Sequence, residues 1–397
     1  MRKGWEYKKL GDCFSYIKNG ANIKQKKDAD GFPITRIETL SGGVFNRDRM
    51  GYAGIHDLSK YADYVLESKD LLMSHINSKT YIGRTVEYKG NNEEAIIHGM
   101  NLLRLKAIHE LIDSTFFAYY TQSGDFKSKI ARIRKDAVNQ SSFAISDLKR
   151  FDIPLPPKST QLAIVSELDK INELIRLKKE QLKDFDNLAQ SLFYEMFGDP
   201  MENEKGWEVK KLGEIGEFKN GLNFSKDEKG HSIKFLGVSD FQNKKSIASD
   251  QLAYISLSER VQEDYLLKTG DLVFVRSNGK KELIGRSVKM YITEPTTYSG
   301  FCIRCRITDE KVDKDYIAIL LKTPIIRQFM TNSGRGCNIS NLNQKILNSI
   351  PTILPPLPLQ RLFAQRIEQI EREKSEVQKS IQDLETLLAS RMQYWFE

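Results

Sequence analysis

The sequence is poor in cysteine and contains no long hydrophobic run. Its 397 residues include four cysteines, scattered at positions 13, 302, 305 and 337. We expect these to be free thiols in a reducing compartment. Apolar runs such as Tyr316–Leu321 are far shorter than the roughly 20 residues needed to cross a bilayer. Since no apolar stretch follows the first charged residues either, we expect a cytoplasmic protein with no signal peptide and no membrane partner.

Motifs of several enzyme classes are also missing. There is no Walker A sequence, and Ser333–Gly336 has the wrong spacing for a dinucleotide or phosphate loop. The five histidines include no pair at the helical spacing that binds metals. The proline pairs at 156–157 and 355–356 follow leucine, so the Asn/Asp-Pro-Pro-aromatic loop of amino-methyltransferases is absent. We therefore expect no catalytic residue, no metal and no cofactor in this chain.

Positive charge is concentrated in two blocks. The net charge is +8, and residues 1–155 carry 25 Lys and Arg against 19 Asp and Glu. Residues 206–357 carry 23 against 17, whereas the segments after each block are slightly acidic. Such blocks attract polyanions, but many soluble domains have similar charge and no nucleic-acid partner. Charge alone leaves both interpretations open.

The two basic blocks belong to two copies of one unit of about 200 residues. Five short motifs recur in the same order with few insertions between them. They are Gly4–Asp12 and Gly206–Glu214, Lys18–Gly20 and Lys219–Gly221, Asp70–Leu72 and Asp271–Val273, Gly83–Thr85 and Gly285–Ser287, and Leu155–Pro157 with Gln161 and Leu354–Pro356 with Gln360. This period is far too long for a solenoid, so the chain is a tandem duplication.

The first part of each copy predicts a mixed α/β globule. Short alternating runs such as Asp271–Arg276 and Phe301–Ile307 indicate strands separated by turns. One helix is expected near Thr115–Gln122 and its counterpart near Asp315–Lys322. The fold class is therefore α+β, with two tandem globules.

Cys302-x-x-Cys305 invites a metal or redox interpretation. No second cysteine pair accompanies it, and the repeat comparison places Asn101 and Arg104 at these positions in the other copy. We interpret the two cysteines as thiols within a strand. The matching aspartates, Asp70 and Asp271, lie at turns before strands, which favours a turn role over a catalytic one.

The second part of each copy predicts a long helix, in residues 159–197 and 359–397. Both segments keep a heptad pattern in one register, which favours an antiparallel coiled coil over two separate core helices. The stripe residues are Leu168, Ile171, Ile175, Leu182, Phe185 and Leu192 in the first helix and Ile367, Ile370, Val377, Ile381, Leu384 and Leu388 in the second. At ~1.5 Å per residue each helix would be about 57 Å long and would hold the globules apart.

The predicted divisions are globules at residues 1–157 and 200–357 and helices at residues 158–199 and 358–397. Two similar basic globules on a rigid spacer fit duplex DNA, whose equivalent groove faces lie about 34 Å apart. Because the globules differ in sequence, the expected target is split into two different half-sites.

The ordered motifs resemble the specificity subunits of type I restriction-modification systems, and Leu192–Asp199 at the end of the first helix is typical of them. The resemblance covers essentially the whole chain. One departure is that Thr160 and Leu359 stand where an acidic residue usually precedes the glutamine.

The resemblance implies that each globule is a target recognition domain that contacts half of a split double-stranded DNA sequence. It implies two modification subunits as partners, which bring S-adenosylmethionine and methylate adenine. Restriction subunits that cleave DNA can join this complex. The chain itself would be non-catalytic.

Residues that read bases are expected in loops that differ between the copies. Arginine and lysine pair with guanine and asparagine with adenine in the major groove, whereas other basic loop residues grip phosphate. The predicted DNA-binding residues are His75, Asn77 and Lys79 in the first copy; Arg276, Ser277, Asn278, Lys280 and Lys281 in the second; and Lys24, Lys26, Lys27, Arg36, Arg47, Arg132, Arg134 and Arg335 in other loops. Solvated surface residues would look the same in sequence.

Two other functions remain open at this point. One is a coiled-coil scaffold with two protein-binding domains, and the other is an enzyme with degenerate motifs. Binding to a duplex with a bipartite site separates the first from a DNA-reading chain. Activity of the chain alone with S-adenosylmethionine would support the second.

Replacing Arg276 or Asn77 by alanine is expected to relax sequence choice in one half-site only. The reason is that each side chain belongs to a different copy of the recognition unit. Sequencing of methylated sites from the assembled complex measures this, and wild-type specificity in both variants would refute the assignments.

Overall fold

A computed structural model describes residues 4–25, 30–90, 94–138, 140–224, 230–241, 244–279, 281–332 and 341–397. The chain forms two compact units. Unit 1 consists of Met1–Lys179 and Lys379–Glu397, and unit 2 consists of Glu180–Gln378. Each unit therefore takes in part of both long helices, and the four divisions expected from the sequence stay a prediction.

Unit 1 contains short strands, short helices and the first part of a long helix. Its strands are β1 (Glu6–Lys9), β2 (Phe14–Asn19), β3 (Pro33–Ile34), β4 (Gly51–Tyr52), β5 (Leu71–Ser74), β6 (Ile76–Asn77), β7 (Thr85–Glu87), β8 (Leu102–Ala107), β9 (Lys135–Asp136), β10 (Ser141–Ser142) and β11 (Asp152–Leu155). Its helices are α1 (Leu10–Cys13), α2 (Ser114–Tyr120), α3 (Gly124–Ile133), α4 (Ile145–Lys149), residues 158–179 of α5 (Lys158–Phe197) and residues 379–396 of α10 (Leu357–Phe396).

Unit 2 contains similar elements in a similar order along the chain. Its strands are β12 (Glu208–Lys211), β13 (Gly216–Asn220), β14 (His231–Leu236), β15 (Ser246–Ala248), β16 (Tyr254–Leu257), β17 (Leu272–Val275), β18 (Ser287–Tyr291), β19 (Thr296–Tyr298), β20 (Cys302–Ile307) and β21 (Pro351–Leu354). Its helices are residues 180–197 of α5, α6 (Leu212–Ile215), α7 (Lys314–Leu320), α8 (Pro324–Asn332), α9 (Gln344–Asn348) and residues 357–378 of α10.

Each unit contains its own sheet with the same four antiparallel strands. Its order is β2-β8-β5-β7 in unit 1 and β13-β20-β17-β18 in unit 2, where β15 adds a parallel edge strand. Leu72 lies opposite Arg104 in unit 1, and Val273 lies opposite Arg304 in unit 2. The expected α+β class and the duplication are confirmed, and α2 and α7 begin and end close to the predicted helices.

The central strands are apolar because both faces of the sheet are covered. Leu71 and Met73 pack in the cluster that includes α2 and α3, whereas Leu72 packs in a second cluster with Leu40 and Val86. In unit 2, Leu272 and Val273 likewise belong to different clusters. Strands buried on both faces become continuous apolar runs.

The strand register corrects one comparison made from the sequence. Because Arg104 and Arg304 occupy equivalent positions, Leu102 and Leu105 correspond to the two cysteines, and Asn101 corresponds to Phe301. Cys302 and Cys305 are both buried but belong to clusters on opposite faces of the sheet. Burial raises the pKa of the Cys302 thiol to about 12, so it remains protonated at neutral pH.

Glycine ends β2 and β13 because the chain passes very close to another backbone there. A β-carbon on Gly20 would lie 2.2 Å from the carbonyl oxygen of Gly99, and one on Gly221 would lie 2.2 Å from that of Ser299. No side chain fits at such distances. The repeated Lys-Asn-Gly motif is therefore a packing requirement of the scaffold.

A buried glutamine joins each long helix to its globule. The Gln161 side chain accepts a hydrogen bond from the Asp113 amide at 2.8 Å and donates to the carbonyls of Leu111 and Pro156, both at 2.9 Å. Both glutamines are 1% exposed. These contacts explain the spacing between the proline pair and the glutamine.

Gln360 repeats these contacts in unit 2. It accepts from the Asp313 amide at 2.8 Å and donates to Pro355 at 2.7 Å and to Lys311 at 3.3 Å. The bonds do not involve Thr160 or Leu359, so the departure from the acidic residue usual in the family leaves this joint intact.

Within each unit the two long helices run antiparallel. In unit 1, Glu167 pairs with Arg391 and accepts a hydrogen bond from the Trp395 indole at 3.0 Å. In unit 2, Asp186 pairs with Lys374. The predicted stripe residues Leu168, Ile171, Ile175, Ile367, Ile370, Val377 and Ile381 are buried, and Leu182, Phe185, Leu192, Leu384 and Leu388 are half-buried.

The end of each long helix completes a core. Phe396, at the end of α10, packs in unit 1 with ring centroids 5.6 Å from Phe116 and 5.9 Å from Tyr120. Phe197, at the end of α5, packs in unit 2 at 5.1 Å from Tyr316. Unit 1 is therefore closed by the last helix of the chain.

Among the described residues, no helix combines the length and the apolar character that crossing a bilayer requires.

Replacing Gln161 by leucine should lower the free energy of unfolding of the full chain by about 2–4 kcal/mol, because one amide and two carbonyls of buried or half-buried residues lose their partner. Gln360→Leu should have a similar effect. Chemical denaturation measures both. Gln122, which is exposed and bonds only back to the Ala118 carbonyl, supplies the control Gln122→Leu; an equal loss there would contradict the joint.

Candidate nucleic-acid interface

A small sheet in unit 1 brings two predicted groups of DNA-binding residues together. Strand β6, which contains Asn77, pairs with β10, and β10 pairs with β9. The predicted Arg134 directly precedes β9 and is half-buried, and the predicted Arg132 is exposed at the end of α3. Segments about 60 residues apart in sequence thus form one surface.

Asp136 is the centre of this surface. Its carboxylate accepts from the Ser141 hydroxyl at 2.6 Å, from Arg134 at 2.8 Å and from the Lys79 ammonium at 3.0 Å. The Ser141 hydroxyl, Arg134 and Lys79 together hold the pKa of the Asp136 carboxyl well below its usual range. Two predicted cations are thus positioned beside Asn77 by one carboxylate.

His75 lies beneath this surface. It is 6% exposed, and its ring packs edge-on against Phe143 with centroids 6.2 Å apart. Burial lowers its pKa to about 4, so the ring is uncharged at neutral pH. His75 therefore supplies no cation to DNA, and its assignment as a DNA contact stays a prediction that the burial makes less favourable.

The other predicted cations of unit 1 lie on a different segment. Arg47 forms a two-pronged ion pair with Glu94, which raises the pKa of the guanidinium further above its usual value. Arg36 lies 3.6 Å from Glu38, and Lys24 is exposed. Lys26 and Lys27 lie outside the described residues.

Unit 2 builds the equivalent surface from different side chains. The Arg276 amide donates to the Phe301 carbonyl at 2.8 Å, and the Arg276 carbonyl accepts from the Leu342 amide at 2.8 Å. In unit 1 the His75 carbonyl accepts from the Phe143 amide in the same way. Ser277 and Asn278 follow and are half-buried. Lys280, Arg335 and the Lys281 side chain lie outside the described residues.

Phe301 was missed by sequence reasoning. Its side chain is 59% exposed, although its carbonyl accepts from the amides of Arg276 and Ser277. The equivalent position in unit 1 is Asn101, whose φ is +73°. A comparison of the two copies could have revealed that phenylalanine and asparagine stand at equivalent positions. Only the strand register, however, aligns these two positions correctly.

The matching aspartates belong to the scaffold. Asp70 and Asp271 are each 2% exposed and accept a hydrogen bond from an amide three residues earlier. Arg104 lies 2.7 Å from Asp70, and Arg306 lies 2.6 Å from Asp271. Both carboxylates therefore fix the turn before the central strand, as the sequence indicated.

Comparison with known proteins matches this duplicated architecture. The family model described as the type I restriction modification DNA specificity domain matches residues 2–184 and again residues 204–386. The chain belongs to the type I restriction-modification DNA specificity family. The resemblance stated from the motifs is thereby confirmed, and DNA sequence recognition is supported over a coiled-coil protein scaffold.

Individual relatives extend over nearly the whole chain. The putative type I restriction enzyme MjaX specificity subunit of Methanocaldococcus jannaschii is 30% identical, over 97% of this chain and 92% of that protein. A chain from a study of assembly and conformational transition of the type I restriction-modification system has a TM-score of 0.64 at 16% identity, covering 100% of this chain and 98% of that one. The specificity subunit from M. genitalium has a TM-score of 0.53 at 14% identity, covering 98% and 95%.

Acid should destabilise this family member through its buried histidines. Burial lowers the pKa of His75 and of His98 to about 4, below the value of 6.5 that the unfolded chain retains. The unfolded chain therefore takes up protons first, and stability is lost as the pH falls from about 6.5 to about 4. Replacing His75 by phenylalanine should make this loss smaller by about 3 kcal/mol.

Urea denaturation between pH 7 and pH 4 measures the effect. His109 is exposed, so His109→Phe is the control. It should keep the wild-type slope of the free energy of unfolding against pH. An unchanged slope in His75→Phe would show that its burial does not govern its titration.

Proposed function

We propose that this chain reads a bipartite, asymmetric sequence in duplex DNA, one half-site with each unit. The observation that carries the proposal is that one scaffold presents different side chains at equivalent positions. Ile76 in unit 1 corresponds to Ser277 in unit 2, and Asn101 corresponds to Phe301. A shared frame with exchanged surface residues is what two different half-sites require.

The side chains of unit 2 suit bases in the major groove. Arginine bonds to the O6 and N7 atoms of guanine, asparagine bonds to adenine, and an apolar side chain contacts the methyl group of thymine. Arg276, Asn278 and Phe301 supply one of each. In unit 1, Asn77 lies beside Lys79 and Arg134, which suits one base contact flanked by contacts to phosphate.

We propose that the chemistry belongs to partner subunits. Two modification subunits would bind S-adenosylmethionine and methylate adenine, and restriction subunits would join this complex to cleave DNA, in the cytoplasm. About half of the surface of several leucines on the long helices is exposed, which suits docking of the modification subunits. These leucines are Leu162, Leu174, Leu177 and Leu387 in unit 1 and Leu188 and Leu362 in unit 2.

The direct test is selection of bound duplexes from a randomised pool by the full chain assembled with its modification subunits. The expected result is two short conserved half-sites separated by an unconserved spacer. Enrichment of one continuous site, or of none, would contradict the proposal. A chain that methylates DNA without the modification subunits would contradict the division of chemistry.

Phe301→Asn, which introduces the residue that unit 1 carries, should remove a contact to a thymine methyl group. For the wild type, replacing one thymine of the unit 2 half-site by uracil should weaken binding about fourfold, since one methyl group is worth about 0.8 kcal/mol. The variant should bind both duplexes equally. Uracil in the other half-site is the control. If no thymine of the unit 2 half-site behaves in this way, the role of Phe301 is refuted.

A further inference from the structure

A cavity of about 260 Å³ in unit 2 is lined by cations that the proposed base contacts do not use. Phe241, Gly285 and Leu321 form part of its wall. Among the described residues that line it, none is acidic. The basic residues are Lys244, Lys245, Arg286, Lys322 and Arg327, and we call this cavity the basic pocket.

The basic pocket lies at the same end of β17 as the proposed base contacts. The Val275 amide donates to the Arg286 carbonyl at 2.9 Å, and the Gly285 amide donates to the Val275 carbonyl at 3.0 Å. Val275 directly precedes Arg276. Two residues of the pocket wall are therefore hydrogen-bonded to the strand whose next residue is the proposed guanine contact.

Two of the lysines of the basic pocket lie close together. The Lys245 ammonium pairs with Glu371 at 2.6 Å, and the Lys322 ammonium donates to the Lys245 carbonyl at 3.0 Å. Burial, and then repulsion from Lys245, lower the pKa of Lys322 to about 8. An anion placed here would relieve this repulsion.

Unit 1 differs from unit 2 at the position of Lys322. Lys322 follows α7 by two residues, and Gln122 follows the equivalent helix α2 by two residues. Arg84 and Lys127 correspond to Arg286 and Arg327, so unit 1 retains two of these cations. Lys322 is thus an addition of unit 2 to a shared surface.

We propose that the basic pocket binds a phosphate group of the DNA backbone beside the half-site read by unit 2. This rests on the proposed function. Lysine and arginine side chains make most phosphate contacts in protein–DNA interfaces and set the position of the protein on the duplex. The pocket thereby fixes the register in which Arg276 and Phe301 meet the bases.

The test variants are Lys322→Gln and Arg327→Gln, in the full chain assembled with its modification subunits. Glutamine is the residue that unit 1 carries at the position equivalent to Lys322. Affinity for a cognate and a scrambled duplex is measured over a salt series. Each variant should lower the slope of log K against log salt by about 0.9 and weaken binding about three- to tenfold near 0.1 M salt, on both duplexes.

Lys268→Gln is the matched control. Lys268 is exposed and precedes β17, at the opposite end of that strand from the basic pocket. It should keep the wild-type slope. If both pocket variants behave like this control while the wild type binds DNA with the expected salt dependence, the pocket assignment fails and the proposed function stands. A wild type without salt-dependent DNA binding would overturn both.

Neutral methylphosphonates distinguish a backbone phosphate from a free anion. Replacing phosphates of the cognate duplex one at a time should reveal a position that weakens the wild type about three- to tenfold and Lys322→Gln little. Absence of such a position, together with inorganic phosphate that raises the melting temperature of the wild type but not of Lys322→Gln, would assign the pocket to a free anion and overturn the proposal. Melting temperatures within about 2 °C of the wild type confirm that the variants are folded.

Discussion

A fully buried glutamine at the start of each long helix is the contact on which the rest of the structure depends. The buried side chains of Gln161 and Gln360 each bond to one backbone amide and two backbone carbonyls of their globule. A residue with both an acceptor and donors is required, and the proline pair before it sets the direction in which the helix leaves. The helix and the globule are thereby fixed to each other, so the loops of a unit have a defined position relative to the helix.

Hydrogen bonds to the backbone also organise the proposed recognition surfaces. In both units, backbone hydrogen bonds hold the segment after the central strand, through Phe143 in one and Leu342 in the other. Because main-chain bonds make the frame, the side chains on it are free to change without loss of the fold. His75 is buried, which lowers its pKa to about 4, whereas its counterpart Arg276 is half-buried. One frame thus presents two chemistries.

Several cations among the described residues are held in place by carboxylates. Asp136 positions Lys79 and Arg134, and Glu94 positions Arg47. Such pairs restrict the conformations of these long side chains. In the basic pocket of unit 2, Lys245 pairs with Glu371, and burial together with Lys245 lowers the pKa of Lys322 to about 8.

The sequence by itself determined the duplication, the α+β class, both long helices and the two short helices α2 and α7, because each leaves a local pattern of spacing, heptads or turn residues. The structure brings three of the predicted DNA-binding residues, Asn77, Lys79 and Arg134, to one surface, and their contacts with DNA stay a prediction. Only the tertiary structure decided that Phe396 closes unit 1, that His75 is buried, that Phe301 is exposed beside Arg276, and that five cations line one pocket. Those facts depend on strand register and on contacts between residues far apart in the chain. Periodicity and spacing report the neighbours of a residue along the chain, and burial, exposure and charge clustering are set by its neighbours in space.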